Sequence, residues 1–452
     1  MMKVVLIVPP NYAAIDDRLE PHLGLLYVAA VLLKRGFRVE YCDLEGVAEC
    51  DWRIPESDVY GITVYGVTLG HARKIAAICK KKNPAALVVV GGPQPSGLPE
   101  RTLEMEPNFD CAVVHEGEFA FLEAIADWGK KKIYRKSVPD LDVLPWPARH
   151  LADFSTYSRT VMGKPSMSLV TQRGCPFSCH FCANDRLFGS FRARGVDDVL
   201  AEIKSLIDGH GCRNFYFHDN IISVDLRRYH RLLDGIAPLG VEWFAYDDCR
   251  GMYSVEEYRR WYDAGCRVIF LGVESGSDRL LKKMNKRQTR EKIRRTILNM
   301  QAAGIEARCA LLFGYPGETR ETWEETRRLV EEIQPAQVFV SYFVPFSGTE
   351  IFRSPEKFGI TEMDAGFDNH SSNNKYGYGI GTFSTDVLSR QEFSALSHEV
   401  TAWWKDYMRA HPAKGAPAWT SKILHMMGQG QDHRYSDSTA MEMDGSPIIA
   451  RS

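Results

Sequence analysis

Thr171-Gln-Arg-Gly-Cys-Pro-Phe-Ser-Cys-His-Phe-Cys-Ala-Asn-Asp185 is the stretch from which the rest of the chain is best read. Its cysteines, Cys175, Cys179 and Cys182, have the spacing C-x3-C-x2-C and supply three thiolates from one short loop. A cubane iron–sulfur cluster ordinarily takes four Cys ligands, and no fourth Cys lies nearby. A cluster held by three thiolates keeps one iron open for a substrate or cosubstrate. A structural zinc site needs four N or S ligands, and His180 is the one candidate for the fourth. His180 directly follows Cys179, which strains a tetrahedron, and zinc ligands usually come as two separated pairs. Three buried structural thiols at this spacing would be a coincidence. The three-thiolate cluster is the preferred reading.

Downstream of this loop, short apolar runs alternate with amphipathic segments. Strands are expected at residues 167–171, 214–218, 241–245, 268–273, 307–313 and 338–343, with helices at 196–208, 289–303 and 321–333 between them. Six βα units, with the cysteine loop directly after the first strand, predict an open (β/α)6 barrel. In such barrels the chemistry sits at the carboxyl ends of the strands. Upstream, runs at 4–8, 38–42, 59–64, 86–90 and 111–114 alternate with helices at 24–36 and 71–83. Continuous apolar runs ending in Gly or Pro read as strands buried on both faces, so a doubly wound, Rossmann-like α/β domain is predicted. The expected organisation is a first domain at 1–136, a Pro- and Asp-rich linker at 137–160, the barrel at 161–345 and a C-terminal region at 346–452. That last region holds one helix, 388–411, with Phe393, Leu396, Val400, Trp403, Trp404 and Tyr407 on its apolar face, and a Gly-, Ser- and Met-rich tail expected to be mobile.

Composition excludes several classes. Apolar residues make up 44% and charged residues 25% of the 452, a soluble globular balance. The net charge of -2 argues against a dedicated nucleic-acid binder, and the basic run Arg290, Lys292, Arg294, Arg295 reads as a solvated helix face. No apolar run is long enough for a membrane span, and the N-terminal run reads as a buried strand rather than a signal peptide. Eleven scattered cysteines form no disulfide framework, and reduced thiols point to a cytoplasmic setting.

The cysteine loop, with Phe181 just before its last Cys, resembles the signature of the radical S-adenosylmethionine (SAM) enzymes. Gly272-Val-Glu-Ser-Gly-Ser277 and Phe313-Gly-Tyr-Pro-Gly-Glu-Thr319 fall at strand ends that line the SAM pocket in that family. The resemblance implies a [4Fe-4S] cluster on the three cysteines, with the open iron chelating SAM and the reduced cluster splitting it to a 5′-deoxyadenosyl radical. It places Phe181, Asp219, Asn220, Glu274, Ser275, Gly314 and Tyr315 around SAM, with Asp219-Asn220 orienting the amino group.

Pro21-His-Leu-Gly-Leu-Leu-Tyr-Val-Ala-Ala30, Gly91-Gly-Pro-Gln-Pro-Ser96 and His115-Glu-Gly-Glu-Phe119 are similar to the cobalamin-binding domain of one large radical SAM subfamily. This second resemblance implies cobalamin contacts from Pro10, Asn11, Leu23, Gly24, Thr63, Tyr65, Gly91, Gly92, Pro93, Gln94, Glu116, Gly117 and Glu118. The chain lacks the D-x-H-x-x-G motif that supplies a lower axial histidine elsewhere, and it has His115 where the subfamily usually shows Gly and Gln94 where it usually shows His. The implied activity is hydrogen abstraction from an unactivated carbon of a small molecule, for C-methylation. Alternatives are ring contraction, cyclisation or oxidation without methyl transfer, or a first domain that binds no cobalamin. An electron donor such as flavodoxin or ferredoxin is implied as a partner. The aromatics Tyr376, Tyr378, Phe383, Trp403 and Trp404 suit an apolar or planar substrate, although core packing is their commoner use.

Overall fold

The computed structural model describes residues 1–11, 16, 18–363 and 383–412. Tyr376, Tyr378 and the tail beyond Pro412 lie outside the described residues.

The first sheet is six-stranded and parallel throughout, in the order β2-β1-β3-β4-β5-β6. Its strands are β1 (Lys3–Val8), β2 (Arg38–Asp43), β3 (Val59–Thr63), β4 (Leu87–Gly91), β5 (Cys111–Val114) and β6 (Ile133–Arg135). β1, β3, β4 and β5 are buried on both faces, with Val5, Ile7, Tyr60 and Val88 packed into one apolar cluster and Val4, Leu6, Val59 and Val89 into another. That two-sided burial explains why their sequences are continuous rather than alternating. β6 escapes sequence reading because it has three residues and follows Lys130-Lys131-Lys132, so no period can develop. Strand order reverses between β1 and β3, and an open α/β sheet binds its ligand in the crevice at that point.

The segment after β6 is tied down at several places rather than loose. Asp142 accepts from the Gly195 backbone N–H at 2.8 Å, and the Trp146 indole N–H donates to Asp198 at 2.9 Å. Arg149 is buried and paired with Glu202 at 2.5 Å. A small hairpin of β7 (Thr160–Val161) and β8 (Lys164–Pro165) follows.

The second large sheet begins with β9 (Met167–Leu169). The loop after it is bounded by β10 (Gln172–Arg173) and β11 (Arg192–Ala193), which pair with each other rather than with the large sheet. β12 (Asn214–Phe217), β13 (Glu242–Asp247), β14 (Cys266–Glu274), β15 (Glu306–Phe313) and β16 (Gln337–Tyr342) complete an open parallel series. Period-two alternation sends Phe215, Phe217, Trp243, Ile269, Leu271 and Cys309 outward under the helices. Tyr216, Phe244 and Val268 form a separate cluster on the opposite, inner face, with Tyr246 and Phe270 against it.

Helix Arg390–Ala410 packs on β16, where the Trp404 indole N–H donates to the Val338 carbonyl at 2.6 Å and the Tyr407 hydroxyl to the Pro335 carbonyl at 2.8 Å. Trp403 sits edge-on to Trp323, and Phe383 (on β18, Phe383–Thr385, paired with β17, Ile360–Met363) packs between Phe343 and Phe393. Phe383, Trp403 and Trp404 therefore serve the core, the commoner of the two uses expected of them. Among the described residues no helix is long and apolar enough to cross a membrane.

Candidate functional site

The cysteine loop is held at its neck, along its length and from beneath. At the neck, Gln172 pairs with Ala193 and Arg173 with Arg192, and Gly174 turns away at φ 80°. A side chain at Gly174 would put its Cβ 2.4 Å from the Ser190 carbonyl oxygen, so only glycine lets the two limbs approach. From beneath, Asp219 at the end of β12 accepts from the Thr171 N–H (2.7 Å), the Gln172 N–H (3.0 Å) and the Thr171 hydroxyl (2.6 Å). Asn220 donates to the Gly174 carbonyl at 3.3 Å. Within the loop the Cys182 N–H closes a turn on the Cys179 carbonyl at 3.0 Å. His180 is directed elsewhere: its N–H donates to the Met284 carbonyl, its Nδ1 lies 3.0 Å from the Lys283 carbonyl and its ring packs edge-on to Phe358.

Two cations flank the thiols. The Arg250 guanidinium lies 3.2 Å from the centre of the Phe177 ring and is paired with Asp248, and Lys286 is paired with Glu274 at 2.9 Å. Burial pushes the Cys175 and Cys179 thiols up, while Lys286 and Arg250 oppose it; Cys182 is pushed up to about 11. A cluster's positive irons and these cations would favour the thiolate form. Among the described residues no three His, Cys, Asp or Glu side chains converge where a single metal ion would sit. Three half-buried thiols on one loop, beside two fixed cations and with His180 engaged elsewhere, fit a cluster.

The residues expected around SAM divide into two groups. Phe181 meets Tyr315 edge-on at 6.4 Å, and Glu274 stands at the end of β14 with φ 65° and its carboxylate on Lys286, so these surround the loop. Asp219 and Ser275 are buried and spent internally. Asp219 braces the loop instead of facing an amino group, and burial pushes its carboxyl up. The Ser275 hydroxyl accepts from the Ser277 N–H at 3.1 Å and lies 3.2 Å from Thr326. Gly314, at φ 84°, is glycine for packing, because a Cβ would meet Phe393 at 2.1 Å. Lys286 and Arg250 are site residues that sequence reading missed; both sit on loops without periodicity.

At the carboxyl edge of the first sheet, the β1/β3 crevice gathers His22, Thr63 and Tyr65. His22 caps helix Leu23–Lys34: its Nδ1 accepts from the Leu25 N–H at 3.2 Å, so in the neutral ring Nε2 carries the proton. Nε2 lies 3.2 Å from the Tyr65 hydroxyl and 3.4 Å from Thr63 Oγ1. Pro10 is buried and Asn11 half-buried at the end of β1. Gly92, at φ 100°, abuts Thr63 and Val64, where a Cβ would fall 2.9 Å from Thr63 Oγ1. Gln94 donates its N–H to the Val64 carbonyl at 3.0 Å, and its buried side-chain Nε2 has no partner among the described residues. A glycine cradle and an unpartnered buried amide beside the switch point fit a large polar cofactor.

Four residues expected at cobalamin take other places. Leu23 packs with Tyr27, Val138 and Leu141 against the segment after β6. Gly117 allows helix Gly117–Ala126 to approach Val28, 3.0 Å from where its Cβ would be. Glu116 and Glu118 point across to the cysteine loop: Arg173 reaches Glu116 at 2.9 Å and Glu118 at 2.6 Å, and Arg192 reaches Glu116 at 2.7 Å. A second crossing runs from Glu20 to Arg159 (2.6 Å), His218 (2.9 Å) and the Ser168 hydroxyl. The carboxyl edges of the two sheets are thus joined by a buried set of ion pairs and a half-buried one.

Comparison with known proteins agrees with both halves. Residues 169–330 match the radical SAM superfamily and residues 18–125 match the B12 binding domain. The chain is 26% identical over 386 residues to an uncharacterized methyltransferase, PH0819, of Pyrococcus horikoshii, covering 78% of this chain and 83% of the relative. It is 25% identical over 324 residues to an anaerobic magnesium-protoporphyrin IX monomethyl ester cyclase of Rubrivivax gelatinosus, covering 66% of this chain and 58% of the relative. Among solved structures, the radical SAM methyltransferase TsrM of Kitasatospora setae, with cobalamin and a [4Fe-4S] cluster bound, shares the fold with a TM-score of 0.62 at 20% identity, covering 79% of each chain. The site and fold define an enzyme of the radical SAM class. The chain belongs to the radical SAM superfamily, among its members with a B12-binding domain. Its cofactors are accordingly a [4Fe-4S] cluster, SAM and cobalamin.

Proposed function

We propose that this enzyme C-methylates a small molecule at an unactivated carbon, in the space between the two sheet edges. The reading is carried by one observation: a three-thiol loop and a switch-point crevice stand on separate domains whose carboxyl edges are joined by buried and half-buried ion pairs. When bound, the cluster and SAM supply a hydrogen-abstracting radical and cobalamin supplies a transferable methyl group. Cys175, Cys179 and Cys182 hold the cluster, and Arg250 and Lys286 offset its charge. Glu274, Phe181 and Tyr315 border the SAM side, with Asn220 and Gly314 at the strand ends beside it. Pro10, Asn11, Gly24, Thr63, Tyr65, Gly91, Gly92, Pro93 and Gln94 border the cobalamin side. The half-buried rings of Tyr246, Phe270 and Phe339 on the inner faces of β13, β14 and β16 favour an apolar, planar substrate. A small reduced protein of the flavodoxin or ferredoxin kind delivers the electron, in a cytoplasmic setting. Similarity to a cyclase keeps ring closure without methyl transfer as the second reading, and product mass separates the two.

The test is anaerobic reconstitution with iron, sulfide and cobalamin, followed by metal analysis and assay of SAM cleavage. The expected result is about four irons per chain and stoichiometric cobalt, with 5′-deoxyadenosine formation lost when Cys175, Cys179 and Cys182 are replaced by Ala. Cleavage that persists in that variant, or a wild-type chain that retains iron without cobalt, overturns the corresponding half of the reading.

A further inference from the structure

The loop that carries the three cysteines begins and ends at a two-residue ladder, and that ladder has an electrostatic peculiarity. Its terminal pair is Arg173 directly opposite Arg192. Like charges facing each other across antiparallel strands push the strands apart, and here they do so at the point where the loop must close. Both side chains are enclosed, at 8% and 14% exposure. Nothing on the ladder neutralises them. The neutralising charge comes from the other domain, from Glu116 and Glu118 just past β5.

The geometry is that of a fork on two prongs. Arg173 places Nη1 on Glu116 and Nη2 on Glu118, while its guanidinium lies 5.0 Å from the centre of the Tyr27 ring. Glu116 divides its two oxygens, one to Arg173 and the other to Arg192 and to the Val138 N–H at 2.8 Å. Arg192 also donates to the Val138 and Phe188 carbonyls. Two guanidiniums meet two carboxylates with both carboxylates at 4% exposure or less, so the charge is balanced and water is excluded. Removing one partner from such a buried set strands a charge and is strongly unfavourable.

We propose that Glu116 and Glu118 are positioning residues for the cysteine loop: the His115-Glu-Gly-Glu118 motif is a clamp by which the B12-binding domain holds the neck of that loop shut. The proposal rests on the reading of this loop as the cluster loop, and it reassigns a motif that resemblance gives to cobalamin. It makes the N-terminal domain part of the cluster site. The loop then owes its shape to domain docking as well as to its own turns and to Asp219.

The test compares amide hydrogen exchange in the full-length, anaerobically purified chain with that in the Glu116→Gln/Glu118→Gln variant, which keeps side-chain size and the acceptor for Val138. Exchange across residues 174–191 is expected to rise about tenfold or more, with the β1, β3 and β4 segments unchanged. Loop exchange within about twofold of wild type, or equal loosening of both domains, overturns the clamp. Should the double variant fail to fold, Arg173→Lys keeps the charge but cannot span both carboxylates, and the same two outcomes decide the matter. A second readout is the cluster's electron paramagnetic resonance signal after reconstitution. Its response to SAM is expected to be altered in the variant while cobalamin absorbance per chain stays the same. Loss of cobalamin with an unaltered cluster signal would return the motif to cobalamin and overturn the proposal. A wild-type chain that takes up no iron would refute the cluster reading alone, because the exchange measurement does not depend on metal.

Discussion

Replacing Asp219 separates two accounts of the residue that follows β12. If the carboxylate braces the cysteine loop, as its contacts with Thr171 and Gln172 indicate, Asp219→Ala leaves two buried N–H donors without an acceptor. Each costs about 1–3 kcal/mol, so the loss should be about 4 kcal/mol. Asp219→Asn is the informative partner. Both N–H bonds fall on the same oxygen, Oδ1, which an amide retains, and the amide nitrogen can donate to the Thr171 hydroxyl once that group turns. Burial already works against the charge at this position, so Asn should cost only about 1 kcal/mol. The assay is denaturant unfolding of the full chain, with SAM binding to the reconstituted protein measured in parallel. A large loss for Ala and a small one for Asn, with SAM affinity kept in Asn, supports the brace. If Asn keeps stability but loses SAM affinity, the charge contacts the SAM amino group and the structural argument is refuted. If Ala costs under about 1 kcal/mol, the brace is refuted outright.

Two further outcomes follow from single positions. Gly92→Val places carbon against Thr63 and the Val64 backbone at a φ that branched residues resist, so cobalamin retention should fall about tenfold while iron content holds; equal loading of both cofactors would remove support for the crevice. Glu318 is buried, and burial pushes its carboxyl up to about 7 from an ordinary 4.5, with the Thr322 hydroxyl and the Gly314 N–H as its partners. A raised folded value means that the native chain binds the extra proton between pH 4.5 and 7, so this group's contribution favours folding at low pH and is lost as pH rises through about 7. Glu318→Gln, which can keep both partners, should therefore stabilise the chain at pH 8 by about 3 kcal/mol and make little difference near pH 4; a gain that does not vary with pH would contradict this.

The architecture was legible where periodicity is long. β1 to β5 and the six barrel strands are readable as apolar runs, and helix Arg320–Ile333 because Thr319 and Thr322 cap it reciprocally. The cysteine loop was readable from spacing alone. What remained hidden is whatever depends on a partner far along the chain. Glu116 and Glu118 stand beside the strand-end motif in sequence, yet their charges are used by Arg173 and Arg192, 55 or more residues away. Asp219 and Ser275 have the residue types and strand-end positions of ligand contacts, but the backbone aims both inward. Lys286 and Arg250 lie on aperiodic loops, where nothing in the pattern shows that a cation will face the thiols, although Asp248, the partner of Arg250, stands only two residues upstream.

The segment Glu20-Pro-His22 shows why the two domains should be read as one site. Glu20 enters the second domain, on Arg159, His218 and Ser168, while His22, two residues on, stands in the first domain's crevice beside Thr63 and Tyr65. A displacement of one edge against the other must therefore be transmitted through a single intervening proline, whose fixed φ leaves little slack. Burial raises the Glu20 carboxyl, but His218 and Arg159 outweigh it and hold the group well below the usual carboxylate range. A depressed folded value contributes stability that is fully present above the unfolded value near 4.5 and is lost progressively as pH falls below it. The Glu20 carboxylate consequently keeps its charge across ordinary pH, whereas burial brings Glu318, at about 7, and Asp247, at about 8, into the range near neutrality. Any pH dependence of SAM cleavage near pH 7 that disappears in Glu318→Gln then belongs to the end of β15, and the docking of the two edges need not be invoked to explain it.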